Sequence, residues 1–430
     1  MRDGARIAAA VEVLDDVLLR HRPAADALAD WGKSHRFAGS GDRNAIGGLV
    51  YDALRRRSSI AWAMESESAR ALAIGAAPSA LGLSPEAVEA ACDGSGHALA
   101  SLSDTERAGL SRSLEEAPAH VRADVPEWLW PSFTRTFGDR AVAEGRALAE
   151  RAPTDVRVNT LKATREKVLK ALGDFRAEPT VLSPIGVRVP APVGSARTPN
   201  LHAEAAFQAG WFEVQDEGSQ IAALLAAAGP RQQVLDVCAG AGGKTLAMAA
   251  GMQNTGQIYA YDADRMRLKP IFDRLKRAGV RNVQVLRGGD RQALDALPAR
   301  FDLVLVDAPC TGTGVWRRRP EAKWRLKATN LEDRRAQQRD VLATAAAKVK
   351  PGGRLVYVTC SLLAEENSDQ IGAFLTAHNA FAPLPFADVW RGGLPGEPPL
   401  AADGGSDSLL LTPASHGTDG FFVAVLERAA

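Results

Sequence analysis

Residues 234–245 read VLDVCAGAGGKT: a short apolar run, a turn carrying Gly240, Gly242 and Gly243, and the start of the helix-like stretch KTLAMAAGM (244–252). An apolar run closed by a glycine turn and followed by helical spacing predicts a strand leading into a helix. The pattern repeats toward the C-terminus in QIYAYD (257–262), NVQVLRG (282–288), FDLVLVDAP (301–309) and GRLVYVTCS (353–361). Helix-like stretches lie between and after these runs: MRLKPIFDRLKRAG (266–279), LEDRRAQQRDVLATAAAKV (331–349) and EENSDQIGAFLTAH (365–378). Near-continuous apolar strands alternating with helices require a parallel sheet covered on both faces. The expectation over 209–430 is a doubly wound, Rossmann-like α/β domain, with its ligand at the carboxyl ends of the strands. FFVAVLER (421–428), after Asp419-Gly420, suits a late antiparallel strand.

Residues 1–122 carry Ala, Leu and Val at helical spacing, as in ARIAAAVEVLDDVLLR (5–20), which predicts an all-helical N-terminal domain. Ser84-Pro85-Glu86 and Ser103-Asp104-Thr105-Glu106 have the form of helix starts. Between these regions, 123–208 mixes helix-like segments with strand-like pieces such as TVLSPIGVRVP (180–190), which predicts a small α+β domain; 191–204, rich in Pro, Gly and Ala, reads as a loop.

The 430 residues balance 52 Lys+Arg against 51 Asp+Glu, and 46% are hydrophobic, which excludes wholesale disorder. No stretch approaches the ~20 apolar residues of a membrane span. The opening MRDGARIAAAVEVLDDVLLRHR (1–22) lacks a signal peptide's layout, because Asp15 and Asp16 interrupt its apolar part. A cytoplasmic chain is expected. Cys92, Cys238, Cys310 and Cys360 are too sparse for a disulfide framework and show no zinc spacing, so no metal is expected.

Glycines directly after a strand let the backbone approach a ligand, and the helix start behind them offers unpaired N–H groups. Two phosphate-binding loops are each missed by one position. A Walker A loop needs glycine where Cys238 stands, and a dinucleotide fingerprint from Gly240 needs one where Thr245 stands. Asp262, at the end of the second strand, is placed to accept hydrogen bonds from ribose hydroxyls, and Asp290, after the third, to receive an adenine amino group. Asp262 as a mere helix cap is the plainer alternative. Together they make an adenosine site without a phosphate cradle, which favours S-adenosylmethionine over NAD or ATP.

Cys310 in DAPC (307–310) and Cys360 in VTCS (358–361) fall where two further strands reach that edge. A free cysteine is often only a small buried hydrophobe, and Cys92 reads that way. A thiol serves methyl transfer in one setting. Carbon 5 of a pyrimidine is a poor nucleophile until a thiolate adds to carbon 6 of a ring polarised at N3 or its exocyclic group. The carbon 5 proton must then leave so that the thiolate is expelled. Methylation of oxygen or nitrogen needs no thiol.

DAPCTGTGVWRRRPEAKW (307–324), YVTCSLLAEEN (357–367) and FEVQDEGSQ (212–220) resemble the signature segments of the RsmB/Sun family of RNA cytosine-5 methyltransferases. VLDVCAGAGGKT is similar to that family's cofactor loop, and RVNTLK (157–162) and DGFF (419–422) to its flanking segments. The likeness implies a Rossmann-like methyltransferase domain that uses S-adenosylmethionine. It implies Cys360 as the nucleophile on carbon 6 and Cys310 as an aid to product release through deprotonation at carbon 5. Asp307 would hydrogen-bond cytosine at N3 or N4. Cys238, Ala239, Gly240, Ala241, Gly242, Gly243, Lys244, Asp262, Arg267, Asp290 and Asp307 would surround the cofactor. Ala241 departs from the family's usual proline and leaves that turn less restricted; Thr311 replaces a common serine and keeps the hydroxyl. Chemistry alone leaves open which cysteine attacks. DNA cytosine methyltransferases are expected to use the Pro-Cys position, and the Thr-Cys-Ser motif points to the RNA family.

VWRRRPEAKWRLK (315–327) interleaves Trp316 and Trp324 with basic residues beside the proposed catalytic loop. Cations neutralise phosphates while aromatic rings stack on unpaired bases, so Arg317, Arg318, Arg319, Lys323 and Trp324 are expected to bind RNA. The target cytosine must leave its stack, which favours single-stranded or looped RNA. A solvated charge run is the bland alternative. GDRNAIGGLVYDALRRR (41–57) resembles the NusB-like RNA-binding domain of bacterial RsmB proteins, which implies small-subunit ribosomal RNA as substrate. Without that likeness, transfer RNA or another acceptor, or a non-catalytic RNA-binding assembly factor, stays open. A monomer is expected.

Overall fold

The computed structural model describes residues 1–194 and 199–430; residues 195–198, within the loop expected over 191–204, lie outside the described residues. β1 (Thr154–Val158), β2 (Glu178–Pro179), β3 (Gly186–Val189) and β4 (Phe212–Val214) form an antiparallel sheet in the order β2-β3-β1-β4. Val156, Val158, Val187 and Phe212 are buried with Val168 and Leu172 from the helical connection. Alternate residues of a strand face one side, so this single apolar face suffices to seat a helix. β4 lies beyond residue 208, so the sheet draws on the chain on both sides of that position.

The larger sheet contains β5 (Gln233–Asp236), β6 (Gln257–Ala260), β7 (Val283–Val285), β8 (Phe301–Asp307), β9 (Val349–Thr359), β10 (Phe381–Leu384), β11 (Ser408–Leu411) and β12 (Phe421–Arg428). Its order is β7-β6-β5-β8-β9-β12-β10, with β11 also paired to β12. β5 to β9 run parallel, and β12 lies antiparallel to β9, as the apolar tail predicted. Helices cover both faces, and alternate residues of the strands enter two separate cores. Leu235, Val304 and Tyr357 face one; Val234, Leu305 and Val356 face the other. The single helix expected over 266–279 is two, Arg265–Leu268 and Ile271–Ala278. Pro270 between them has no N–H to continue the first.

In the N-terminal region, helices Asp3–Leu19, Ser40–Arg55 and Ala69–Leu81 pack around Leu14, Ile46, Leu49, Leu72 and Ile74. Ser84 caps its helix through Ala87 N–H, and Ser103 and Glu106 form a reciprocal capping box. Leu129, Phe133 and Phe137 join the core of the large sheet, where Phe133 stacks on Trp316 with ring centres 5.8 Å apart. Residues 127–148 therefore pack on the large sheet, separately from the core of the small one.

Candidate active site

Strand order reverses between β5 and β8, and in open α/β sheets the ligand crevice lies at that reversal. The chain leaves β5 through the glycine loop. Gly242 has φ 84°, and a Cβ there would lie 2.5 Å from Ile271 Cγ1, so only glycine fits. Gly240 has φ 51°, and a Cβ on it would meet nothing nearer than Arg267 Nη2 at 3.6 Å. A side chain there would touch Arg267 and Asp262 without clashing, so the positive φ alone selects glycine.

Several side chains hold this loop. Asp262 accepts the Gly240 N–H at 2.8 Å through one carboxylate oxygen and the Asp264 N–H at 2.7 Å through the other. Asp264 is the residue that caps the following helix, so Asp262 is no helix cap. Asp290 caps helix Arg291–Asp295 through one oxygen, accepting the Ala293 N–H at 3.0 Å. The Ala239 N–H donates to the Tyr261 carbonyl at 2.8 Å, and Cys238 is half-buried beside the core. The Ala241 carbonyl accepts from Arg274 at 2.8 Å, and Glu213 on β4 holds Arg274 at 3.0 Å. Arg157 on β1, wholly buried, donates to Gln215 at 2.6 Å and to the Gly243 carbonyl at 3.3 Å; burial lowers its pKa to about 10. The small sheet thus braces the loop from behind.

Asp236, at the end of β5, accepts the Thr245 hydroxyl at 2.7 Å through one oxygen; the other is buried without a partner. Burial pushes its pKa up to about 7, and Asp307 adds to the shift. A cofactor with a cationic amino group and an adenosyl moiety matches this set: an unpartnered acceptor at the strand end, a glycine turn, and aspartates in the loops after the next two strands. The residues fit S-adenosylmethionine.

Because β8 and β9 are adjacent and parallel, their ends deliver both cysteine loops to one place. Cys310 Sγ and Cys360 Sγ are 3.3 Å apart. The Gly314 N–H donates to the Cys360 carbonyl at 2.9 Å, and the Leu362 N–H to Thr313 Oγ1 at 2.8 Å, which stitches the loops together. The contact with Cys360 and burial push the Cys310 thiol well above its usual pKa. Lys244 Nζ donates to Asp307 Oδ2 at 2.7 Å; the lysine is buried, whereas 36% of the Asp307 side chain is exposed. Cys310 opens into a cleft of about 730 Å³ whose walls include Tyr51 from the N-terminal helices and Arg319, Arg325 and Arg334.

The basic run requires a correction. Arg317 is buried, bonded to Asp419 at 2.5 Å and Asp216 at 3.4 Å. Arg318 bonds the same two aspartates and the Pro153 carbonyl. Lys323, fully buried, donates to the carbonyls of Arg55 at 2.9 Å and Asp124 at 2.7 Å, and Trp324 Nε1 to that of Leu54 at 2.6 Å. These four side chains join parts of the protein, and Arg317 and Lys323 are buried away from any RNA. Cations satisfied by carboxylates and helix-end carbonyls carry the same sequence signature as a phosphate-binding strip. Of the five residues expected to bind RNA, Arg319 is exposed, on the cleft wall.

Sequence reasoning passed over Glu366, Gln338, Arg157 and Arg274. Glu366 lies in the quoted segment YVTCSLLAEEN, and its burial six residues after Cys360 is the signal that only the folded chain displays. Among the described residues, no helix is long and apolar enough to cross a membrane, and no cluster of three or more His, Cys, Asp or Glu is arranged to hold a metal ion.

A glycine loop at the switch point of a Rossmann-like sheet, with the features just described, defines an S-adenosylmethionine-dependent methyltransferase. Residues 223–427 match the family model described as 16S rRNA methyltransferase RsmB/F, and residues 125–195 match the ferredoxin-like domain of RsmF/B-like methyltransferases. Ribosomal RNA small subunit methyltransferase B of Salmonella arizonae is 34% identical over 316 residues, which span 73% of this chain and 68% of that protein. The probable ribosomal RNA small subunit methyltransferase B of Synechocystis is 32% identical over 310 residues, 71% of this chain and 67% of that one. The crystal structure of PH0851 covers 100% of this chain and 99% of its own, with a TM-score of 0.74 and 26% identity. The chain belongs to the RsmB/F family and is an S-adenosylmethionine-dependent RNA methyltransferase.

Proposed function

We propose that this protein methylates carbon 5 of a cytosine in small-subunit ribosomal RNA, with Cys360 as the nucleophile and Cys310 aiding product release. The reading rests above all on the two sulfurs 3.3 Å apart beside the paired Asp307 and Lys244. An enzyme methylating oxygen or nitrogen has no use for such a pair. The names of the relatives, which specify the small ribosomal subunit, support the choice of RNA.

In this reading the exposed Asp307 carboxyl engages the cytosine at N3 or N4, and Lys244 fixes its orientation from the buried side. The Cys360 thiolate adds to carbon 6, forming the C–S bond while the C5–C6 electron pair moves toward carbon 5. S-adenosylmethionine supplies the electrophilic methyl group that carbon 5 takes. The Cys310 thiolate takes the carbon 5 proton, the C–H electron pair re-forms the C5–C6 double bond, and the C–S bond breaks, returning the Cys360 thiolate. Cys310, in contact with that sulfur, is assigned to this last stage. The cofactor contacts are assigned to Cys238, Ala239, Gly240, Ala241, Gly242, Gly243, Lys244, Asp262, Arg267, Asp290 and Asp307. Arg319, on the cleft that opens at Cys310, is assigned to the RNA backbone. The protein acts as a monomer in this reading.

Nucleoside mass spectrometry of unmodified small-subunit RNA incubated with enzyme and cofactor tests the proposal. Expected is 5-methylcytidine with the wild type and none with Cys360→Ser, whose cofactor affinity stays within about twofold. A methylated nucleoside of another kind, or unchanged turnover in Cys360→Ser, ends it.

A further inference from the structure

Glu366 is completely buried, and its carboxylate is held chiefly by the loop that carries Cys310, with the Ser361 hydroxyl beside Cys360 as a further contact. Through Oε1 it accepts the Thr311 N–H at 2.9 Å, and through Oε2 the Thr311 hydroxyl at 2.5 Å. Gln338, also fully buried, donates through one Nε2 to Glu366 Oε1 at 3.0 Å and to the Pro309 carbonyl at 2.9 Å. Cys310 therefore lies between two residues, Pro309 and Thr311, that are both tied to this carboxylate. The backbone of Glu366 is fixed too, since the Tyr357 hydroxyl donates to its carbonyl at 2.7 Å. Glu366 belongs to the segment that follows Cys360, so it reaches from one cysteine loop across to the other. A buried carboxylate is costly unless fully hydrogen-bonded, and the donors from Thr311 and Gln338 tie this one to the short loop around Cys310.

We propose that Glu366 is a positioning residue for Cys310: with Gln338 it holds the Cys310 loop so that its thiol meets Cys360 when the product must be released. This rests on the covalent reading above. The role is geometric. Glutamine has the same shape, accepts the Thr311 N–H and Gln338 bonds through its oxygen, and donates to a rotated Thr311 hydroxyl through its nitrogen.

The experiment compares Cys310→Ala, Glu366→Leu, Glu366→Gln and Gln338→Leu on a small-subunit RNA fragment with S-adenosylmethionine. It follows turnover, denaturant-stable protein–RNA adduct and cofactor affinity. Expected for Glu366→Leu is adduct accumulation like that of Cys310→Ala, turnover lower by about 10- to 100-fold, and unchanged cofactor affinity. Glu366→Gln restores turnover to within about threefold of wild type and accumulates no adduct. A merely structural loss would lower adduct and cofactor binding together. Should Glu366→Leu fail to fold, Gln338→Leu, which cuts the link to the Pro309 carbonyl, carries the same expectation of a trapped adduct. Adduct in Cys310→Ala but in neither leucine variant overturns the inference. Trapping in Glu366→Gln equal to that in Glu366→Leu also overturns it, since the charge and not the geometry would then matter. No adduct even in Cys310→Ala tells against the covalent reading itself.

Discussion

Asp236 shows how one buried carboxyl ties stability to the cofactor site. Its pKa in the folded chain is about 7, against about 4 when exposed, because burial disfavours its charge. Between those values the folded chain holds the extra proton, so stability is lost as pH rises from about 4 to 7. The shift corresponds to on the order of 4 kcal/mol, and Asp236→Asn, which cannot ionise, removes it. Urea unfolding of both proteins at pH 4.5 and 7.5 should show Asp236→Asn gaining on the wild type by several kcal/mol at the higher pH. A constant difference would mean that Asp236 is charged in the folded protein. At this scale much of the site was legible: Asp262, Asp307, Cys310 and Cys360 all lie at strand ends, and a strand end marks the ligand edge of a parallel sheet. Glu366 was not, because nothing in a Glu-Glu-Asn triplet says which carboxylate turns inward.

Among the elements, helix Ser40–Arg55 ends against the catalytic region in an arrangement that explains the basic run. The last carbonyls of a helix lack partners and carry partial negative charge. Here Lys323 and Trp324 supply donors to the carbonyls of Arg55 and Leu54, and the Arg55 guanidinium donates back to the Arg317 carbonyl at 3.0 Å. Lys323→Ala takes the donor from the buried Asp124 carbonyl and the part-buried Arg55 carbonyl and leaves a cavity, a loss of about 2–4 kcal/mol. Hydrogen exchange in the last turn of Ser40–Arg55 should quicken in that variant, and unchanged exchange would refute the capping role. Lys323 and its carbonyl partners are 268 and 199 residues apart in the chain. Local reading registers a cluster of cations and has no access to such partners. The parallel strands were legible for the opposite reason: burial on both faces writes itself into consecutive residues.

Across the molecule, the helical N-terminal region, the small sheet and the large sheet converge on one edge. Arg157 and Glu213 of the small sheet brace the glycine loop, and Tyr51 of the N-terminal helices lines, with Arg319 and Arg334, the cleft that reaches Cys310. In the proposed reading a nucleotide entering that cleft reaches Cys310, whose sulfur touches that of Cys360, and the adjacency of β5, β8 and β9 carries the glycine loop and both cysteine loops to one edge of the sheet. The most direct test is to trap Cys310→Ala on a small-subunit RNA fragment, digest the complex, and locate the cytidine-bearing peptide by mass spectrometry. The expected adduct maps to Cys360 and vanishes in the Cys310→Ala/Cys360→Ser double variant; an adduct on any other residue, or one that survives without Cys360, would contradict the assignment of the nucleophile.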